Sequence, residues 1–172
     1  MALTQTIYNV DPWEASRAYV KNEPAYISGD HYRYASITHT SDSSFDGSKW
    51  YGVDINGSSI LGEFIWNPSY PVEFPLEPKS KIIQFGDGYS QRSAGQINNN
   101  LLVIDMTFEG RDTAEATAIL HFLDQKKGVE AFYFTPPQPF ATKSKFICKT
   151  WNPTVQFYNT YNIKVRFEEV AA

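Results

Sequence analysis

The sequence predicts a mainly β protein with one α-helix, in which a small β-module precedes a larger β-barrel or sandwich-like domain. Three observations carry this. Residues 160–170 alternate apolar and polar side chains, the period-2 signature of a strand with one buried face. Residues 113–127 hold the chain's one stretch of helical apolar spacing, with start and stop signals at its ends. Residues 1–60 show no helical period, only short aromatic pieces between turn formers.

In the first 60 residues the breaks fall at Asn22–Pro24, at Ser28-Gly29-Asp30 and over the polar run Thr40–Ser44. Nine aromatics, 4 Lys/Arg and 7 Asp/Glu share this stretch. A unit of this size without disulfide or metal depends on packed aromatics, each burying roughly 150–250 Å². Asn56-Gly57-Ser58-Ser59 is small, polar and glycine-bearing, and is the expected linker between residues 1–60 and 61–172.

Beyond the linker, Lys81–Phe85 reads as a strand entering the turn Gly86-Asp87-Gly88-Tyr89. Residues 101–109 form a strand with Leu102, Ile104, Met106 and Phe108 on its inner face. The period then changes. Asp112 opens a capping-box pattern with Glu115, and Ala116, Ile119, Leu120 and Leu123 follow at helical spacing. Lys126 and Lys127 suit the negative end of the helix dipole, and Gly128 stops the helix. Glu130–Thr135 is a strand ended by Pro136-Pro137, and Lys145–Trp151 one ended by Asn152-Pro153. In the last strand Tyr161, Ile163, Val165 and Phe167 share one face and Asn162, Lys164, Arg166 and Glu168 the other.

Composition excludes several function classes. The net charge is −4, so a nucleic-acid contact driven by phosphate neutralisation is not expected. Basic clusters that would hold an anionic membrane are missing, and no run of 18 apolar residues spans a bilayer. The N-terminal residues carry neither the charged nor the apolar region of a secretory signal. One cysteine, Cys148, rules out an internal disulfide or a multi-cysteine metal site.

Catalytic chemistry finds no foothold either. His31 and His39 sit eight apart without a third ligand pattern, and His121 lies mid-helix among core residues. Cys148, in phase with Phe146 and Thr150, reads as a small buried hydrophobe despite the nearby Lys145 and Lys149. Glu168 and Glu169 point to opposite strand faces, so they make no carboxylate pair. The glycines of residues 86–90 come without a Walker lysine or a following helix. No catalytic residue, cofactor-binding residue or metal ligand is expected, and a hydrolase is the weakest of the three function classes considered. The aromatics divide between core and platform. Tyr26, Tyr32, Tyr34, Trp50 and Tyr51 are the candidates for an exposed stacking surface toward sugar or protein, because their module is too small to bury all its rings.

The run Lys81–Arg92 (KIIQFGDGYSQR), then Asn98–Asn100, the helix AEATAILHFLDQKKG, Phe132–Pro137, Phe146–Trp151 and Val165–Val170 resemble the minor tail protein M family of long, non-contractile phage tails. The resemblance covers residues 64–170. One departure is Phe134, where the family pattern has Trp before Thr-Pro-Pro. It implies a structural virion protein at the distal tail tip, made in the host cytoplasm: a homohexameric ring between the tail tube protein and the baseplate hub. Phe85, Gly86, Asp87, Gly88, Tyr89, Gln91 and Arg92 in the turn, with Pro136 and Pro137 in the loop, are the expected ring contacts. A turn so rich in Gly, Tyr and Arg exceeds what a tight connection requires; the competing reading is a plain hairpin bend.

Residues 10–54 carry a second likeness. Tyr19, Tyr26, Gly29-Asp30, Tyr32 and Tyr34, then Ser48-Lys49-Trp50, resemble the small chitin-binding-type carbohydrate modules of families 5 and 12, with Trp13 where such modules often begin. These modules usually carry a tryptophan pair where this chain has Ile37-Thr38-His39-Thr40. The likeness implies a decorating module, and as an alternative function a glycan-binding adhesion protein that recognises host-surface polysaccharide.

Overall fold

The computed structural model describes residues 10–27, 32–51, 62–76, 80–84, 88–94 and 101–171. Among these the chain is mainly β with one α-helix, and its main sheet curls into a half-barrel. Five antiparallel strands make that sheet, in the order β5 (Ser69–Glu73), β8 (Val103–Arg111), β11 (Thr160–Glu169), β10 (Ser144–Phe157) and β9 (Phe132–Phe134). The helix α1 (Thr113–Lys126) lies against β10 and β11, and the core fills the space between helix and sheet.

The alternation read from the sequence sets the sheet's two faces. Ile104, Met106 and Phe108 on β8 and Ile163, Val165 and Phe167 on β11 are buried, with Leu102 just ahead of β8. They meet across the strand pair as Phe167 opposite Ile104, Val165 opposite Met106 and Ile163 opposite Phe108. Phe64, from the segment running beside β9, lies at the centre of an aromatic cluster. Its ring centroid is 5.2 Å from that of Phe167 and 5.6 Å from those of Phe108 and Phe122. Such edge-to-face and tilted pairs add about 0.5–1.5 kcal/mol each beyond area burial.

The helix starts and stops where the sequence signals it. The Asp112 carboxylate accepts the Glu115 N–H at 2.8 Å, satisfying one of the unpaired first-turn donors. The capping box itself is only half made, because the Glu115 carboxylate turns instead to Arg111 at 2.9 Å. At the far end Lys127 (φ 49°) and Gly128 (φ 67°) both take the left-handed conformation that closes the helix.

The expected strand end at Asn152-Pro153 is corrected. β10 continues through both residues to Phe157, with Pro153 opposite Ile163 on β11. The reason is position in the sheet. β9 pairs with β10 only over Ser144–Phe146, so among the described residues β10 is an edge strand beyond Phe146. Proline is tolerated in edges because the N–H it lacks can be the outward-facing one.

The first half builds small strand pairs: β1 (Ala18–Tyr19) with β4 (His39–Thr40), and β2 (Pro24–Tyr26) with β3 (Tyr32–Tyr34). A 3-10 turn, Gly47–Lys49, is capped by the Asp46 carboxylate. Tyr19, Ala25, Ala35 and Trp50 form a core of their own, with Trp13 and Phe45 packed at its edge. The expected linker Asn56–Ser59 lies outside the described residues.

Candidate assembly surfaces

The aromatic candidates of the first half do not share one exposed face. Trp50 is 3% exposed, its ring 5.0 Å from Tyr19 and 5.5 Å from His39. Tyr34 is 1% exposed and belongs to the core between α1 and the five-stranded sheet, its ring 5.1 Å from Trp66. The expectation of an exposed ring is therefore corrected for these two. Trp50 is needed to fill the small core, and Tyr34 projects from β3 into the larger one. Tyr26 and Tyr32 are half-buried, 5.4 Å apart, and Tyr32 stands edge-on to His121 at 4.6 Å. Tyr51 is half-buried against the larger core.

His121 receives this side of the first half. It is fully buried on α1, and its Nδ1 is 3.0 Å from the Tyr34 hydroxyl. Burial holds its pKa down at about 4, and burial raises that of Tyr34 well above the ordinary tyrosine value, with a smaller push from Tyr32. Of the other histidines, His39 bonds through Nδ1 to the Ile37 carbonyl, and His31 lies outside the described residues.

The turn candidates belong to a two-stranded arm. β6 (Ser80–Gln84) pairs with β7 (Ser90–Ala94) and, among the described residues, with no other strand. Ile82 and Ile83, neighbours in sequence and so on opposite faces, are 57% and 39% exposed. Gly88, at φ 78°, and Tyr89 and Gln91 are exposed as well. Phe85, Gly86 and Asp87 lie outside the described residues, and for Arg92 only the backbone is described. A two-stranded hairpin is marginal in water by itself, and this one leaves apolar side chains exposed on both faces.

The proline loop is less available than the sequence suggests. Pro136 is buried, and the loop turns back so that Phe140 packs on Phe74 at 4.8 Å, leaving Pro137 half-buried. Pro136 as a contact residue is corrected: it closes the end of β9 and offers no surface.

Sequence reasoning missed a second exposed feature, the tip of the β10–β11 hairpin. Val155, Phe157 and Tyr158 there are 66%, 72% and 100% exposed. Asn159, at φ 57°, makes the turn, and its side-chain oxygen accepts the Thr113 N–H, tying the tip to the start of α1. The signal was present as Val155-Gln-Phe-Tyr just before the last strand, but reading Asn152-Pro153 as a stop hid it. Ile147–Phe157 of β10 has no strand on its outer side among the described residues.

The sheet's outer face bears a hollow of about 640 Å³, lined among others by Tyr70, Glu73, Asp105, Trp151, Lys164 and Arg166. Arg166 and Asp105 pair across it at 3.5 Å, so its charges are of both signs and partly spent on each other. Cys148 is buried, donates to the Thr150 carbonyl and is pushed up to about 12, chiefly by burial. A thiol so placed is no nucleophile near neutral pH. No three His, Cys, Asp or Glu side chains gather among the described residues, and no helix there is long and apolar enough to cross a membrane.

Residues 62–171 match the family described as phage minor tail protein. Tail tip protein M of Escherichia phage lambda is 30% identical over 107 residues, which cover 62% of this chain and 95% of that protein. Tail tip protein M of Escherichia phage N15 is 32% identical over 104 residues, 60% of this chain and 88% of that protein. A chain in the tail of an empty GTA particle, determined with C6 symmetry, aligns at a TM-score of 0.38 and 13% identity, over 59% of this chain and 75% of that one. That last likeness is too slight to bear on the fold. Both curated relatives are tail tip proteins, and the matched stretch takes in the whole five-stranded sheet and α1: the chain belongs to the phage minor tail protein family.

Proposed function

We propose that this chain is a structural, non-enzymatic component of the tip of a long non-contractile phage tail. Copies of it form a ring, with six as the expected number, between the tail tube protein and the baseplate hub. The first 60 residues decorate that ring. The observation that carries the reading is the match over residues 62–171, together with the near-complete coverage of the lambda relative. Two surfaces support it. The β6–β7 arm exposes Ile82, Ile83 and Tyr89, and the edge of β10 ends in the apolar tip Val155–Tyr158. Two different surfaces on one chain suit head-to-tail contact, the kind that closes into rings.

Mass measurement of the purified chain, with reconstruction of the intact tail tip, tests this. A symmetric oligomer seated at the distal end of the tube is expected. A monomer at every concentration and no ring in virions would sink the reading. Glycan binding by residues 10–54 remains the alternative proposal for the decoration, resting on the half-exposed rings of Tyr26, Tyr32 and Tyr51. Retention on chitin, cellulose or host polysaccharide that is lost in Tyr26→Ala would support it; no retention on any of them removes it.

A further inference from the structure

The contact between β3 and α1 joins the first half of the chain to the family domain, and a titratable group stands at its centre. His121 is fully buried, with Tyr34 on Nδ1 and the Tyr32 ring edge-on at 4.6 Å. Its Nε2 is buried and has no hydrogen-bond partner. Either neutral tautomer bonds the phenol at Nδ1, accepting from it or donating to it, and leaves an uncharged Nε2 unpaired. Protonation adds a full charge to this buried ring and leaves its Nε2–H, now a charged donor, without an acceptor among the described residues. We propose that the docking of the β2–β3 hairpin on α1 is a proton-sensitive latch, in which protonation of His121 releases Tyr32 and Tyr34 while the five-stranded domain stays folded.

Two further observations bear on this. The match to the lambda relative fills 95% of that protein, leaving room for only a few residues more, so a tail tip protein of this family exists without the first half. From β3 the titratable groups in contact with His121 are the phenols of Tyr32 and Tyr34, and among the described residues no charge compensates for its burial. On α1 the positions a turn away are Thr117, Ala118, Asp124 and Gln125, of which Asp124 alone is ionisable, and burial is what sets the depressed pKa. The sign follows. The docked state binds fewer protons than the released one between pH 6.5 and about 4, so docking is complete above that window and weakens as pH falls through it. One proton weakens it by at most tenfold per pH unit, about 300-fold across the window.

The test is an NMR titration of the full chain from pH 7.5 to 4, following His121, the Tyr34 ring and backbone signals of β8 and β11. The His121 and Tyr34 signals are expected to change together with one midpoint inside the window, while β8 and β11 hold. The variant Tyr34→Phe with His121→Phe, which removes the hydrogen bond and the titrating group without stranding either partner, should lose the transition. An unchanged contact at pH 4, simultaneous loss of β8 and β11, or the same transition in the double variant overturns the proposal. Should that variant fail to fold, the native titration alone still decides. The outcome is independent of ring formation, which this experiment does not read.

Discussion

The Tyr34 hydroxyl and the His121 imidazole, 87 positions apart in sequence, meet at 3.0 Å where neither is reached by solvent. Removing one partner strands the other. Tyr34→Phe is expected to destabilise the chain by about 1–3 kcal/mol, the cost of a buried polar group left unpaired. Urea unfolding of the single variants and of the Tyr34→Phe, His121→Phe pair checks it: the double variant should lose less than the sum of the two.

Phe64 touches both the helix and the sheet through Phe122 and Phe167. Phe64→Ala opens a cavity that neither layer can collapse into, for a loss of about 3–5 kcal/mol. At roughly 2–4 °C per kcal/mol for a chain of this size, thermal unfolding should fall by about 6–20 °C.

Asp112 caps α1 through the Glu115 N–H. Asp112→Ala should cost about 0.5–2 kcal/mol, while Asp112→Asn, which keeps the accepting oxygen, should recover most of it. Thermal unfolding followed by circular dichroism at 222 nm separates the two.

The Cys148 thiol is held at about 12 against an ordinary 9.0. Its thiolate is therefore favoured in the unfolded chain, so stability should fall as pH rises from 9 toward 12. Cys148→Ala should flatten that part of the pH profile. A thiol-reactive dye at pH 8 should label the native protein only as fast as it unfolds.

The exposed arm separates stability from assembly. Ile82→Asp with Ile83→Asp removes apolar side chains that are already 57% and 39% exposed, so unfolding should shift by no more than about 0.5 kcal/mol per site. The oligomer should be lost, as read by light scattering. A variant that still assembles normally removes the arm from the ring contacts.

The sequence by itself determined the strand faces, the helix and its ends. Period-2 alternation set Ile163, Val165 and Phe167 inward, and Asp112 and Gly128 mark the two ends of α1 through local backbone chemistry. The family, too, was legible in the Lys81–Arg92 run and the motifs after it, and the match over residues 62–171 agrees. What only the tertiary structure decided depends on which strands lie side by side. Pro153 fails to end β10 because among the described residues that strand has no outer neighbour there, a fact of sheet order that no local pattern contains. Tyr34 and Trp50 are, on the sequence, alike candidates for an exposed surface, yet one fills the larger core and the other the smaller. Burial is a sum over distant chain segments, so a ring's spacing states which face it shares but not what comes to cover it.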